Sequence, residues 1–399
     1  MKRVFGLVLV AVLGMSGCAE GQTLPVYPGP VVAGGVEVDA PVANQIFQRQ
    51  TLKEGVVHVA GKVTDTGADA VVITVSSMDK APRDLGIAPV TAAIGDGGKF
   101  EKDVTVPAGA WYEIGVRASS HGVKKEEGAA VAPIGMGEVF VTGGQSNSTN
   151  FGEVKTKSET GMVMVFDGKG WSPAADPLPG VDGKGGGPWC VFGDLMAERY
   201  HVPIGIVPVG KGSTSVRQWL PKGDVVEIEP SRTYGLKKNA EGKWVNEGTL
   251  YDRMVERMKQ LGPHGFRAML WHQGESDAHQ AEGHTLPGKD YRVMLERVIT
   301  ESRKEVGWNV PWFVATASWG SPQTPDDPDT RAAQAAVVSD GVAMAGPDTD
   351  KLVGEFRQKN GTGVHFSEKG LHAHGGLWVE VVGKWIDGPR RRGVSETPE

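Results

Sequence analysis

The chain has 399 residues, with 42 lysines and arginines against 48 aspartates and glutamates, for a formal net charge of −6. That balance, with no basic stripe, excludes a nucleic-acid partner, and a charged fraction of 23% excludes wholesale disorder. The length predicts two or three domains at roughly 100–200 residues each, and 57 glycines, about twice the usual frequency, favour turns and loops over long helices.

Lys2 and Arg3 precede an apolar run from Val4 to Met15, too short to span a bilayer but the length of a signal-peptide core. Ser16-Gly17-Cys18 resembles a bacterial lipobox, in which Cys18 becomes the lipidated N-terminus; the other reading is ordinary secretion. Residues 1–18 are therefore expected to be an export signal. The protein is expected at the outer membrane as a lipoprotein, in the periplasm or at the cell surface, or else secreted. No later apolar stretch reaches ~18 residues, so a lipid anchor is the only membrane contact expected. Residues 19–40, rich in Gly, Pro and Val, read as a linker.

From 41 to 134 short alternating runs follow one another: Val56–Ala60, Ala70–Val75, Phe100–Val106 and Trp111–Arg117, separated by clusters such as Gly95-Asp96-Gly97-Gly98. A period of two at this spacing predicts a small all-β sandwich, Ig-like, with no catalytic grouping. From 135 to 390 strands alternate with helices. Strands are expected at Val139–Thr142, Pro203–Val209, Ala268–Trp271 and Pro311–Ala317; helices at Val191–Tyr200, Tyr251–Leu261, Tyr291–Val306, Arg331–Ser339 and Leu371–Ile386. Residues 391–399 are a tail. Strand–helix alternation predicts a parallel sheet covered on both faces, with ligands bound beyond the carboxyl ends of its strands.

Polar, glycine-bearing junctions stand at those ends: Gly143-Gly144-Gln145-Ser146-Asn147, Gly210-Lys211-Gly212-Ser213-Thr214, Trp271-His272-Gln273-Gly274-Glu275-Ser276-Asp277 and Gly363-Val364-His365-Phe366-Ser367. A serine hydroxyl becomes a nucleophile only with a base in hydrogen-bond reach and an acid to orient that base. Ser146, where a strand turns, and His365, ahead of a helix that Ser367 caps, are candidates for the first two. A metal reading of His365, His372 and His374 is disfavoured, because positions i and i+2 do not share a helix face. Cys190, beside Trp189, reads as a buried thiol.

Gly-Gln-Ser-Asn after the first strand, Trp-His-Gln-Gly-Glu-Ser-Asp after a middle strand and Val-His-Phe-Ser near the end together resemble the SGNH-hydrolase superfamily. Within it they are most similar to the sialate O-acetylesterase-like carbohydrate esterases, over about residues 136–388. The resemblance implies a three-layer α/β/α, flavodoxin-like domain after the β-sandwich, and an enzyme without a cofactor or metal that acts on an acetylated carbohydrate. It implies Ser146 as nucleophile and His365 as general base. Ser146 and Gly212 would supply N–H groups to the oxyanion, and Gln145, Asn147 and Trp219 would bind substrate. Thr362 stands where many relatives carry the triad aspartate, so Glu275 is assigned to orient His365, with Asp277, Asp348 and Asp350 in reserve. Ser276 stands at the superfamily's oxyanion asparagine, leaving Ser276 or the Gln273 amide to donate. The expected activity is removal of O-acetyl groups through an acetyl-enzyme. The alternative is a carbohydrate-binding protein on this fold with weakened catalysis.

Overall fold

The computed structural model describes residues 29–64, 67–78, 85–109 and 111–388. The expected signal segment with Cys18, the first part of the expected linker and the expected tail lie outside the described residues.

Valine-rich alternation gives strands: β1 (Val31–Ala33), β2 (Val36–Ala40), β3 (Ile46–Gln48), β4 (Glu54–Val63), β5 (Ala70–Ser77), β6 (Val90–Ala93), β7 (Lys99–Pro107), β8 (Trp111–Ser120), β9 (Val123–Lys124) and β10 (Ala129–Gly144). Strands β1, β2, β4 and β7 form one antiparallel sheet; β5, β6, β8 and β9 pair antiparallel in a second, joined by the first half of β10. Alternate residues of both meet in one core, Val57, Val59 and Val104 against Ile73, Ile114 and Val131.

Two boundaries differ from expectation. Residues 31–40, assigned to the linker, hold β1 and β2, and Val36 and Val38 are buried in that core. The neighbouring Gly and Pro residues disguised two short valine alternations. The division at 134/135 falls inside β10, which pairs with β8 at one end and with later parallel strands at the other. Gly137 permits this continuity: a Cβ there would stand 1.8 Å from the Pro203 carbonyl oxygen.

Beyond β10 come β11 (Val163–Phe166), β12 (Trp171–Pro173), α1 (Trp189–Tyr200) and β13 (Ile204–Pro208). A small antiparallel sheet follows, β14 (Val225–Val226), β15 (Leu236–Lys238) and β16 (Trp244–Asn246). Then come α2 (Thr249–Leu261), β17 (Ala268–His272), α3 (Gly288–Val306), β18 (Trp312–Thr316), α4 (Pro328–Ser339), β19 (Met344–Asp348), the four-residue turn α5 (Gln358–Gly361) and α6 (Glu368–Asp387).

The large sheet runs β12-β11-β13-β10-β17-β18-β19, parallel throughout except for β12 at its edge. Every residue of β13 and β17 is buried, as a parallel sheet with both faces covered requires. Phe140, Leu270 and Phe313 pack with Phe192 of α1 and Trp378 of α6. Their alternates Val141, Met269 and Trp312 pack with Met254 of α2, Leu295 of α3 and Val337 of α4. The strands end together at Gly144, Pro208, His272, Thr316 and Asp348, and the chemistry-bearing junctions begin there. No helix among the described residues is long and apolar enough to cross a membrane.

Candidate active site

Ser146 sits in the first turn after β10 and is 5% exposed. Gly144 makes that turn possible: its φ of 121° suits glycine, and a Cβ would come within 2.0 Å of the His272 carbonyl oxygen. The Gln145 N–H then donates to that carbonyl at 3.0 Å, and Thr149 Oγ1 donates to the Ser146 carbonyl at 3.0 Å. Neither the Ser146 hydroxyl nor its N–H is committed to a partner among the described residues.

The next residue joins three distant segments. Asn147 Nδ2 donates to Glu275 Oε1 at 2.7 Å and to the Val364 carbonyl at 3.1 Å. The position after Ser146, the carboxylate of the middle loop and the position before His365 therefore meet at one amide. Val364 is held from behind as well. Arg357, 2% exposed, donates to the carbonyls of Val364 (2.9 Å), Thr349 (2.9 Å) and Leu352 (2.6 Å), and its guanidinium lies 4.2 Å over the Phe366 ring. Burial pulls that guanidinium down to about 10, still charged near neutrality.

His365 is half-buried, its ring 5.3 Å from that of Phe151. Burial holds the imidazole below its ordinary 6.5; the Glu275 charge opposes this, while Arg357 and Lys359 reinforce it. It follows the turn α5, where Lys359, Asn360 and Gly361 all have left-handed φ and Thr362 Oγ1 donates to the Lys359 carbonyl. Ser367 caps α6 by accepting from the Gly370 N–H at 3.2 Å. Glu275 lies 3.6 Å from His272 Nδ1, and its second oxygen is buried with no hydrogen-bond partner among the described residues.

These contacts bear on several of the sequence assignments. Gln145 braces the middle loop: its Oε1 accepts from the Ser276 N–H at 2.9 Å and from Gln273 Nε2 at 3.3 Å. The Asn147 Nδ2 group is committed to Glu275 and Val364. Trp219 is fully buried, 5.0 Å edge-on to Trp271 and bonded to Thr214 Oγ1, so it belongs to the core instead of a sugar site. The Gly212 N–H donates to Asp182 Oδ1 at 2.9 Å and is not free for an oxyanion. The Gln273 amide is likewise occupied, by Asp277 at 2.6 Å and the Thr214 carbonyl at 3.1 Å.

Among the described residues no hydrogen bond or ion pair joins the reserve carboxylates to His365. Asp277 accepts from Ser215 and the Val216 N–H, and burial raises its pKa. Asp348 and Asp350 both face Arg331 at 3.0 and 2.8 Å. The Ser276 hydroxyl has no hydrogen bond among the described residues. His374 is buried and His372 exposed, and no group of three His, Cys, Asp or Glu among the described residues could hold a metal ion. Burial raises the pKa of the Cys190 thiol. Sequence reasoning missed Arg357 and Asp182, whose partners are largely backbone groups that no motif encodes.

Residues 136–381, well over half of the chain, match the family model described as "Carbohydrate esterase, sialic acid-specific acetylesterase". Among solved structures the chain is similar to a carbohydrate acetylesterase from Xanthomonas citri, 17% identical over 86% of this chain and 73% of that one, with a TM-score of 0.49. It is also similar to a protein of Arabidopsis thaliana, at 19% identity over 61% and 95% and a TM-score of 0.39. A third is a carbohydrate esterase family 2 enzyme with a carbohydrate-binding domain from Corynascus thermopiles (Myceliophthora fergusii), at 14% identity over 88% and 98% and a TM-score of 0.36. The curated proteins give no match.

Proposed function

We propose that this chain, which belongs to the carbohydrate esterases of the sialic acid-specific acetylesterase family, works as a serine O-acetylesterase of SGNH type, its parallel sheet lying between two helical layers. Membership makes it a carboxylic ester hydrolase at family level; the residues and steps below are our reading. The observation that carries it is the single Asn147 amide bonded to both Glu275 and Val364, which gathers the neighbours of Ser146 and His365 around one carboxylate.

Ser146 Oγ attacks the acetyl carbonyl while His365 takes its proton. The tetrahedral oxyanion is held by the two predicted donors that have no other commitment, the Ser146 N–H and the Ser276 hydroxyl. Collapse expels the sugar oxygen, which leaves as an alcohol with the proton from His365. Water then adds to the acetyl-enzyme, giving its proton to His365, and acetate departs as Ser146 is reprotonated. Glu275 favours the imidazolium formed at each transfer. The His365 ring makes no hydrogen bond among the described residues, and such bonds commonly tighten only once substrate is bound.

Ser146→Ala is expected to lower kcat on 4-nitrophenyl acetate by roughly 10⁴-fold or more; hydrolysis within tenfold of the unmodified protein sinks the assignment. The second reading, a glycan-binding protein with weakened catalysis, draws support from the occupied Gly212 N–H. Glycan binding without acetate release from any acetylated glycan would establish it.

A further inference from the structure

The wall that begins at His365 continues beyond the reacting centre. Phe151 stacks near His365, and Gly212 lies against the Phe151 ring, where a Cβ would come within 2.6 Å. The Gly212 N–H binds Asp182 Oδ1 at 2.9 Å, and Asp182 Oδ2 holds Lys211 Nζ at 2.9 Å. That ammonium stands 5.2 Å over the ring of Tyr234. Tyr234 is 47% exposed, while its carbonyl is fixed at 2.9 Å by the amide of Gln218, a buried residue in the turn that follows the Gly212 segment. An exposed aromatic ring is thus held in place at its backbone and backed by a locked cation, on the same wall as the candidate base.

We propose that Tyr234 is a platform for the sugar next to the acetylated one, so that this site takes O-acetylated oligo- or polysaccharides rather than isolated acetylated monosaccharides. A pyranose ring presents an apolar C–H face, and a tyrosine, with only two side-chain torsions to order, receives it at modest entropic cost. The Lys211–Asp182 pair is internally neutral, so the platform selects for an extended glycan and not for its charge. This inference rests on Ser146 as the nucleophile, since the run of contacts from His365 through Phe151, Gly212 and Lys211 makes the ring a neighbouring subsite only if the reaction takes place there.

The test compares 4-nitrophenyl acetate with whichever is deacetylated fastest among acetylated xylan, acetylated pectin and an O-acetylated sialoglycan. Tyr234→Ala is expected to raise KM on the polymer by roughly 3- to 10-fold with kcat held, so that the ratio of polymer to small-ester kcat/KM falls equally. Tyr234→Phe keeps the ring and restores the ratio. An unchanged ratio in Tyr234→Ala, whether both activities fall together or neither moves, overturns the proposal. So does equal kcat/KM of the unmodified protein on acetylated monosaccharides and on their oligomers. Ser146→Ala reports separately: if it keeps small-ester activity, the nucleophile assignment fails whatever Tyr234 does.

Discussion

Opposed charges act on the His365 ring, Glu275 against Arg357 and Lys359, and the Glu275 and Arg357 charges make opposite predictions. In the proposed mechanism the neutral imidazole is the form that accepts the Ser146 proton, so kcat/KM is expected to fall as pH drops through its pKa. Burial places that limb below the ordinary 6.5. The Glu275 carboxylate favours the charged ring and Arg357 disfavours it. Glu275→Gln should therefore move the acid limb to still lower pH, with kcat reduced by roughly 10²- to 10⁴-fold by analogy with loss of a triad acid. Arg357→Met should move the limb upward, because the imidazolium then loses a repelling neighbour, while Arg357→Lys keeps the charge and most of the displacement. Profiles of kcat/KM on 4-nitrophenyl acetate from pH 4.5 to 8 read both shifts. Shifts of the same sign, or none, would remove this electrostatic account of the pair.

At the level of elements, β17 and α6 each bury a histidine behind the site. The His272 and His374 rings lie 4.7 Å apart, and His374 Nε2 accepts from the Trp378 indole at 3.0 Å. Accepting there requires an unprotonated Nε2, so protonation would break the bond and place two N–H groups face to face. Burial lowers both pKa values, that of His374 well below 6.5. The unfolded chain therefore binds more protons than the native one below about pH 6.5, and stability, complete above that pH, declines as pH falls by about 1.4 kcal/mol per unit for each excess proton. His374→Gln should lessen the slope of unfolding free energy between pH 6.5 and 5 by about one proton, read by urea titration; an unaltered slope would show that His374 does not carry it. In the sequence, α6 was legible from its apolar spacing and the Ser367 cap, and the strand ends from their glycine-bearing junctions. Strands of two or three residues, such as β14 to β16, are too short to show a period. The burial of Trp219 was equally hidden, because Arg-Gln-Trp after a glycine block reads alike for a sugar platform and for a core ring. Only the contact with Trp271 decides between them.

Across the whole molecule, β10 runs through both the strand-built region and the mixed region, so the two are expected to unfold together. Glu138, fully buried near its middle, accepts from Arg49 (2.7 Å) and Gln48 (2.9 Å) on the β3 side and from Arg267 (2.6 and 3.0 Å) at the entrance to β17. Eight positions further along the chain, in the turn just beyond the end of this strand, stands Ser146. Removing a carboxylate from such a cluster leaves two guanidinium groups without a counter-charge, one of them almost fully buried. Glu138→Ala is accordingly expected to cost about 3–5 kcal/mol, and the loss should fall on both regions together. Only Trp111 of the 11 tryptophans precedes β10, so tryptophan fluorescence reports chiefly on the mixed region, whereas far-UV circular dichroism reports on both. Urea transitions by the two probes should coincide in the unmodified protein, and should remain coincident and shift together in Glu138→Ala. A strand signal lost while fluorescence and esterase activity stay native would mean that β10 joins two independent units, and that the turn carrying Ser146, the proposed nucleophile, needs only the parallel sheet to hold it.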